Sequence, residues 1–152
     1  MKIEPFTLTK SQNSAIRNQI ARFMSLSAEA VVNAKAETDM SDFYTRVRHE
    51  VSSKELKDKT YVLSANCLEK AIKYYKDERI YSSVIFILWD FTLKEVNEVN
   101  FDSIGSFCSS IDQAGKDRVY NEVESICGYS NIGSGEYFRQ LAKVLNVDLM
   151  KV

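Results

Sequence analysis

One segment of the sequence brings acidic, basic and imidazole side chains together at helical spacing. These residues are Asp39, Asp42, Arg46 and His49, and their spacing stacks them along one side of a helix. Two carboxylates beside an imidazole are able to bind a metal ion or to move a proton. Arg46 lies within the group and would repel a cation, and an Asp42–Arg46 pair one turn apart is typical of a solvated helix face. We therefore predict an exposed charged face with no catalytic residue and no metal.

The remaining reactive side chains do not form a recognisable catalytic set. His49 is the single histidine, and Cys67, Cys108 and Cys127 are scattered without the short spacing of a zinc site. A serine or cysteine nucleophile needs a base beside it, and no second histidine is present to serve as one. We predict that the thiols are small core residues in a reducing compartment. No cofactor is expected, because the sequence has no phosphate-cradling glycine loop.

The overall charge argues against a nucleic-acid partner, and the short apolar runs argue against a membrane partner. Twenty basic and twenty-one acidic residues leave a net charge of −1, whereas a general nucleic-acid binder carries a basic excess. The longest purely apolar run, residues 84–89, has six residues, far fewer than the roughly twenty that a membrane helix needs. Residues 1–5 lack the apolar region of a signal peptide. We expect a cytoplasmic protein.

The distribution of glycine and proline predicts an all-α fold. The sequence has no glycine before Gly105 and no proline after Pro5, and a β-rich domain needs these residues at its turns. Helices can instead begin at Ser, Thr, Asn or Asp caps. Thr9 and Gln12 form such a capping box ahead of the first helix. We predict a single domain over residues 1–152, built as a bundle of about six to seven helices.

Apolar periodicity predicts how the first helices pack. One stripe runs over residues 16–34 and a second over 40–51, and the two are out of phase at about 100° per residue. A straight helix cannot bury both against one partner, so we predict a break near residues 37–39. The helix after Ser53 is predicted to turn a third stripe inward. That stripe comprises Tyr61, Ala65, Leu68, Ile72 and Tyr75.

Segment 80–99 is apolar on every side of a helix. Such a helix is stable only with protein packed around it, so we predict a central buried helix there, with Trp89 near the middle of the core. Branched and aromatic residues over 84–91 are also compatible with a β-strand, which is the alternative for this segment.

Exposed aromatic and charged side chains are the predicted partner-binding residues. They are Asp39, Asp42, Glu50, Lys73, Tyr74, Lys76 and Tyr81. Protein interfaces favour tyrosine in this role. Immunity proteins, antitoxins and phage-encoded inhibitors are often of this size and free of cofactors. We therefore expect a non-enzymatic module that binds and blocks another protein.

The alternative is a small helical hydrolase or nuclease that uses His49 with Asp42 or Glu50. The helical scaffold and the aromatic-rich segment 87–91 resemble small RNases of the HEPN class. The catalytic signature of that class separates an arginine from a histidine by more residues than lie between Arg46 and His49. The likeness therefore stops at the scaffold, and His49→Ala separates the two functions: a binding module should lose little, and an enzyme nearly all activity.

Overall fold

The computed structural model describes residues 2–92, 96–130, 132 and 135–150, and most of these are helical. The helices are α1 (Lys10–Glu50), α2 (Lys54–Trp89), α3 (Phe101–Phe107), α4 (Gln113–Tyr129) and α5 (Gly135–Val144). A single 3₁₀ turn, Asp90–Thr92, follows α2. The predicted all-α class is confirmed at this level. The described residues form five α-helices rather than the predicted six to seven.

Two short strands accompany the helices. Strand β1 (Lys2–Phe6) pairs antiparallel with β2 (Val96–Glu98). Lys2 lies opposite Glu98 and Phe6 opposite Val96, with an irregularity in the register between these pairs. None of the helices in the described part of the chain has both the length and the hydropathy of a bilayer-spanning segment.

The predicted break near residues 37–39 is wrong, because α1 runs without interruption from Lys10 to Glu50. Thr38, which lies within that range, donates its hydroxyl to the carbonyl of Ala34 at 2.9 Å inside the helix. The first stripe stays on the buried side of α1 through Ala30 and Ala34, whereas Met40 and Phe43 of the second stripe are about half exposed. A straight helix carries both stripes, because it does not have to bury the second one.

The chain divides into two compact units. Unit 1 comprises Met1–Leu26 and Arg79–Val152, and unit 2 comprises Ser27–Glu78. Both α1 and α2 therefore supply residues to each unit. The interpretation of residues 1–152 as one domain stays a prediction.

The hydrophobic core lies in unit 1. Buried residues 16, 20 and 23 of α1 and 80, 84, 87 and 88 of α2 meet the apolar sides of α3, α4 and α5 there. Tyr137 of α5 is fully buried, with its ring centroid 5.0 Å from that of Phe91 and 5.6 Å from that of Phe101. The Phe91–Tyr137 pair is edge-to-face, a geometry that stabilises a core beyond the area it buries.

The predicted central helix over 80–99 is wrong in its extent and in the place of Trp89. Helix α2 ends at Trp89, the 3₁₀ turn follows, residues 93–95 lie outside the described residues, and 96–98 form β2. The buried side of α2 repeats at Ile80, Val84, Ile87 and Leu88, and Trp89 falls on the other side of this helix. Trp89 is 55% exposed, and Phe91 after the turn is the fully buried aromatic residue.

Unit 2 is an antiparallel hairpin of α1 and α2, joined by residues 51–53. Two hydrogen bonds show that the helices run in opposite directions. Ser41 of α1 pairs with Ser64 of α2, whereas Ser27, which is earlier in α1, pairs with Glu78, which is later in α2. We call the line of small buried side chains between the helices the seam. It comprises Ala30, Ala34 and Ser41 of α1 with Thr60, Ser64 and Ala71 of α2. The Oγ atoms of Ser41 and Ser64 lie 2.8 Å apart, so these hydroxyls pair inside the seam.

The seam overturns the predicted inward stripe on α2. Within unit 2, the buried positions of α2 each lie one residue before a member of that stripe: Thr60 before Tyr61, Ser64 before Ala65, and Ala71 before Ile72. One residue rotates a side chain by about 100° around a helix, which turns the larger side chains away from α1. Tyr61 is 57% and Ile72 56% exposed.

Candidate functional site

The predicted charged face of α1 lies in solvent. Asp39, Asp42, Arg46 and His49 are all exposed, as the sequence predicts. Lys35 Nζ lies 3.1 Å from Asp39 Oδ2, one turn before the predicted Asp42–Arg46 pair. The side chains of Lys35 and Asp39 are both more than half exposed, so their ion pair contributes little to stability. A binding role for Asp39 and Asp42 stays a prediction.

The other predicted contact residues divide between the two units. Glu50 is exposed at the last position of α1, Lys73 and Lys76 are exposed on α2, and Tyr74 is half-buried, all in unit 2. Tyr81 belongs to unit 1.

Tyr81 packs at the edge of the core. Its ring lies 5.9 Å from that of Phe23, and its hydroxyl accepts a hydrogen bond from Arg118 Nη2 at 3.3 Å. The Arg118 guanidinium also lies 5.4 Å from the centre of the Tyr81 ring, a cation–π contact. A binding role for Tyr81 stays a prediction beside these packing contacts.

The three cysteines are free thiols in different environments. Cys108 and Cys127 are buried and Cys67 is half-buried. Burial raises the pKa of Cys127 to about 12. Burial also raises the pKa of Cys67, and a hydrogen bond to the Glu37 carboxylate adds to that rise. Within the described residues, no group of three His, Cys, Asp or Glu side chains is placed to hold a metal ion.

We expect one thiol per native chain to react with a disulfide reagent at pH 8. The thiolate is the attacking species, and Cys127 with its raised pKa is both buried and almost fully protonated at that pH. Cys67 should react slowly, and Cys108 only after unfolding. Counting the released chromophore before and after adding guanidinium checks this. A Cys67→Ser variant that still shows a reactive native thiol would contradict the assignment.

A row of apolar side chains lies along the outward side of α1 in unit 2. We call Val32, Ala36, Met40, Phe43 and Val47 the α1 strip. Phe43 is 50%, Met40 47% and Val32 66% exposed. The sequence prediction placed most of these residues in the core. The signal that would have corrected it is the recurrence of Ala30, Ala34 and Ser41, whose small side chains mark the side of closest helix approach.

The stripe of α2 predicted to be inward is a second exposed row. We call Tyr61, Ala65, Leu68, Ile72 and Tyr75 the α2 strip. Leu68 is 47% and Tyr75 48% exposed. Arg48 of α1 places its guanidinium 5.1 Å from the centre of the Tyr61 ring, at the α1-facing border of the strip.

Comparison with protein-family models, with curated proteins and with solved structures found no match to this chain.

The hairpin carries most of the exposed large apolar residues found in the described part of the chain. In unit 2 they are Val31, Val32, Met40, Phe43, Leu56, Tyr61, Val62, Leu68, Ile72 and Tyr75. Contiguous apolar surface of more than a few hundred Å² is typical of sites that bind other proteins. The arrangement suits binding, because its main features are apolar rows and solvated charges rather than an enclosed set of reactive groups.

Proposed function

We propose that this chain is a non-enzymatic helical module that binds another protein and blocks it through the α1 strip. Immunity proteins, antitoxins and phage-type inhibitors act in this way. We propose that this chain acts in the cytoplasm. The observation that carries the proposal is the exposure of Phe43 and Met40 beside a seam that small side chains already close. Phe43 and Met40 lie outside the seam and are about half exposed, so both side chains are accessible to a partner.

The spacing of the α1 strip fits recognition of a helix in a groove. Its members are three or four residues apart, so they form one continuous ridge that could fit into an apolar groove on the partner. Asp39 and Glu50 lie close to the ridge on the helix surface, and both are exposed. We therefore expect basic groups on the rim of the partner's groove, which would speed association and orient the complex.

The hydrolase alternative has less support. His49, Asp42 and Glu50 are all exposed on one helix, whereas catalytic groups usually act where the protein excludes water. Lys73, Tyr74 and Lys76 remain candidate contacts on α2. Tyr81 in unit 1 also remains a candidate contact.

The product of the neighbouring gene is the first partner to test, with the complex measured by titration calorimetry. Phe43→Asp should weaken the complex at least about thirtyfold, since a central aromatic anchor contributes roughly 2–4 kcal/mol. His49→Ala, on the same helix, is the matched control and should change the affinity by less than about twofold. Both variants should keep the native circular dichroism, because neither side chain is buried.

Two outcomes would contradict this function. In the first, Phe43→Asp binds as tightly as the native chain. In the second, His49→Ala abolishes the biological effect while Phe43→Asp preserves it, which would instead support a hydrolase.

A further inference from the structure

The α2 strip is a second recognition surface, separate from the one assigned to partner binding. We propose that it pairs with the α2 strip of a second copy of this chain, antiparallel, about a two-fold axis at Leu68. This goes beyond the proposed function, because it assigns a different surface and a different occupant. Three properties of the strip carry it: its area, its order of residue sizes and the charges beside it.

The exposed area approaches what a stable dimer requires. Tyr61, Leu68, Ile72 and Tyr75 are each about half exposed. Side chains of this kind present roughly 200 Å² when free, so the four leave on the order of 400 Å² uncovered per chain. Two copies would bury about 800 Å² from these residues alone, and specific interfaces begin near about 1,000–1,200 Å². The aliphatic stems of the flanking lysines add to this area.

The order of residues in the strip is self-complementary in the antiparallel direction. Tyr61 then lies against Tyr75 of the second copy, and Leu68 lies against itself. Ala65 lies against Ile72 of the second copy, so a small side chain faces a large one. A parallel pairing would instead set Ile72 on Ile72 and leave a gap between the two Ala65 residues. A two-fold interface uses the same patch on both subunits, as this order allows.

One pair of flanking charges is complementary in the antiparallel direction. Pairing about Leu68 places the exposed Asp58 of one copy within one turn of the exposed Lys76 of the second copy, on the same flank of the interface. Glu69 is exposed next to Leu68 and would approach its counterpart near the axis, a repulsion that gives the pairing a specific signature.

Sedimentation equilibrium of the full chain over a range of concentrations tests the dimer. We expect the native chain to dimerise and Leu68→Asp to weaken association roughly a hundredfold or more, since it sets two unpaired charges together in an apolar interface. Val32→Asp, on the α1 strip, is the matched control and should leave the dimer unchanged. Glu69→Gln should tighten association severalfold.

A cross-link provides a second readout that does not depend on a disruptive substitution. In a Cys67→Ser background, Leu68→Cys should form a disulfide-linked dimer with oxidised glutathione, because the two thiols meet at the axis. Val32→Cys in the same background should not. A native chain that stays monomeric, a dimer insensitive to Leu68→Asp, or weaker association of Glu69→Gln would overturn the proposal. Binding of the α2 strip to a different protein would also overturn it, and none of these results bears on the Phe43→Asp test of partner binding.

Discussion

Replacing Phe91 by alanine should lower the free energy of unfolding by about 3–5 kcal/mol, the usual cost of removing a large aromatic ring from a core. Phe91 is fully buried, and its ring lies 5.0 Å from that of Tyr137. Trp89→Ala, two residues earlier, should cost less than about 1 kcal/mol, because Trp89 is 55% exposed. Urea unfolding followed by far-ultraviolet circular dichroism measures both.

The fluorescence of Trp89 provides an independent check, since it is the single tryptophan. Its native emission should already lie near the wavelength of a solvated indole and should shift little on unfolding. A strongly blue-shifted native spectrum would contradict the exposed position. A larger loss of stability for Trp89→Ala than for Phe91→Ala would do the same.

Two glycines of α4 should respond to alanine with opposite signs. A Cβ atom on Gly115 would clash with Ile111 Cγ2 and would lie 3.1 Å from Asp112 Oδ1. Asp112 is the N-cap of α4, and its Oδ1 accepts the Gly115 N–H at 2.8 Å. Gly115→Ala should therefore destabilise the fold by about 2–4 kcal/mol, through overpacking and a displaced cap.

Gly128→Ala is the matched control in the same helix. A Cβ atom there meets nothing within 4 Å, and alanine restricts the unfolded chain more than glycine does, so stability should rise by about 0.5–1 kcal/mol. Thermal unfolding of the two variants beside the native chain measures the difference. Equal effects, or a stabilising Gly115→Ala, would show that the first turn of α4 has more space than the structure gives it.

Features of the fold that depend on near neighbours in the sequence are predictable. The Thr9–Gln12 capping box forms as expected, with Thr9 N–H donating to Gln12 Oε1 at 2.9 Å and Gln12 N–H donating to Thr9 Oγ1 at 3.1 Å. Asn100 caps α3 by accepting the Ser103 N–H at 3.0 Å. Each of these hydrogen bonds is complete within one helical turn, so the local sequence determines it.

Features that depend on the choice of packing partner are not predictable in this way. Burying the largest apolar residues is a sound rule for a core, and it fails for a hairpin whose helices meet through alanine, serine and threonine. The same rule led to the wrong predictions that Tyr61 and Leu68 are buried and that α1 is broken.

The candidate site follows the same division. The exposure of Asp39, Asp42 and Glu50 follows from charge and helical periodicity, and the structure places all three in solvent. The apolar strips between the charges were missed, because periodicity alone does not say which of two rows on a helix faces its neighbour.

Because the seam consists of small side chains, its positions and the outward positions of the hairpin tolerate different amounts of sequence change. At Ala34, Ser41 or Ser64 a larger residue would force the helices apart, so selection for folding restricts these positions to a few small types. The outward rows face no such restriction, and residues there can change without refolding the hairpin. A lineage that must follow a changing target can therefore alter what it recognises at little risk to its fold.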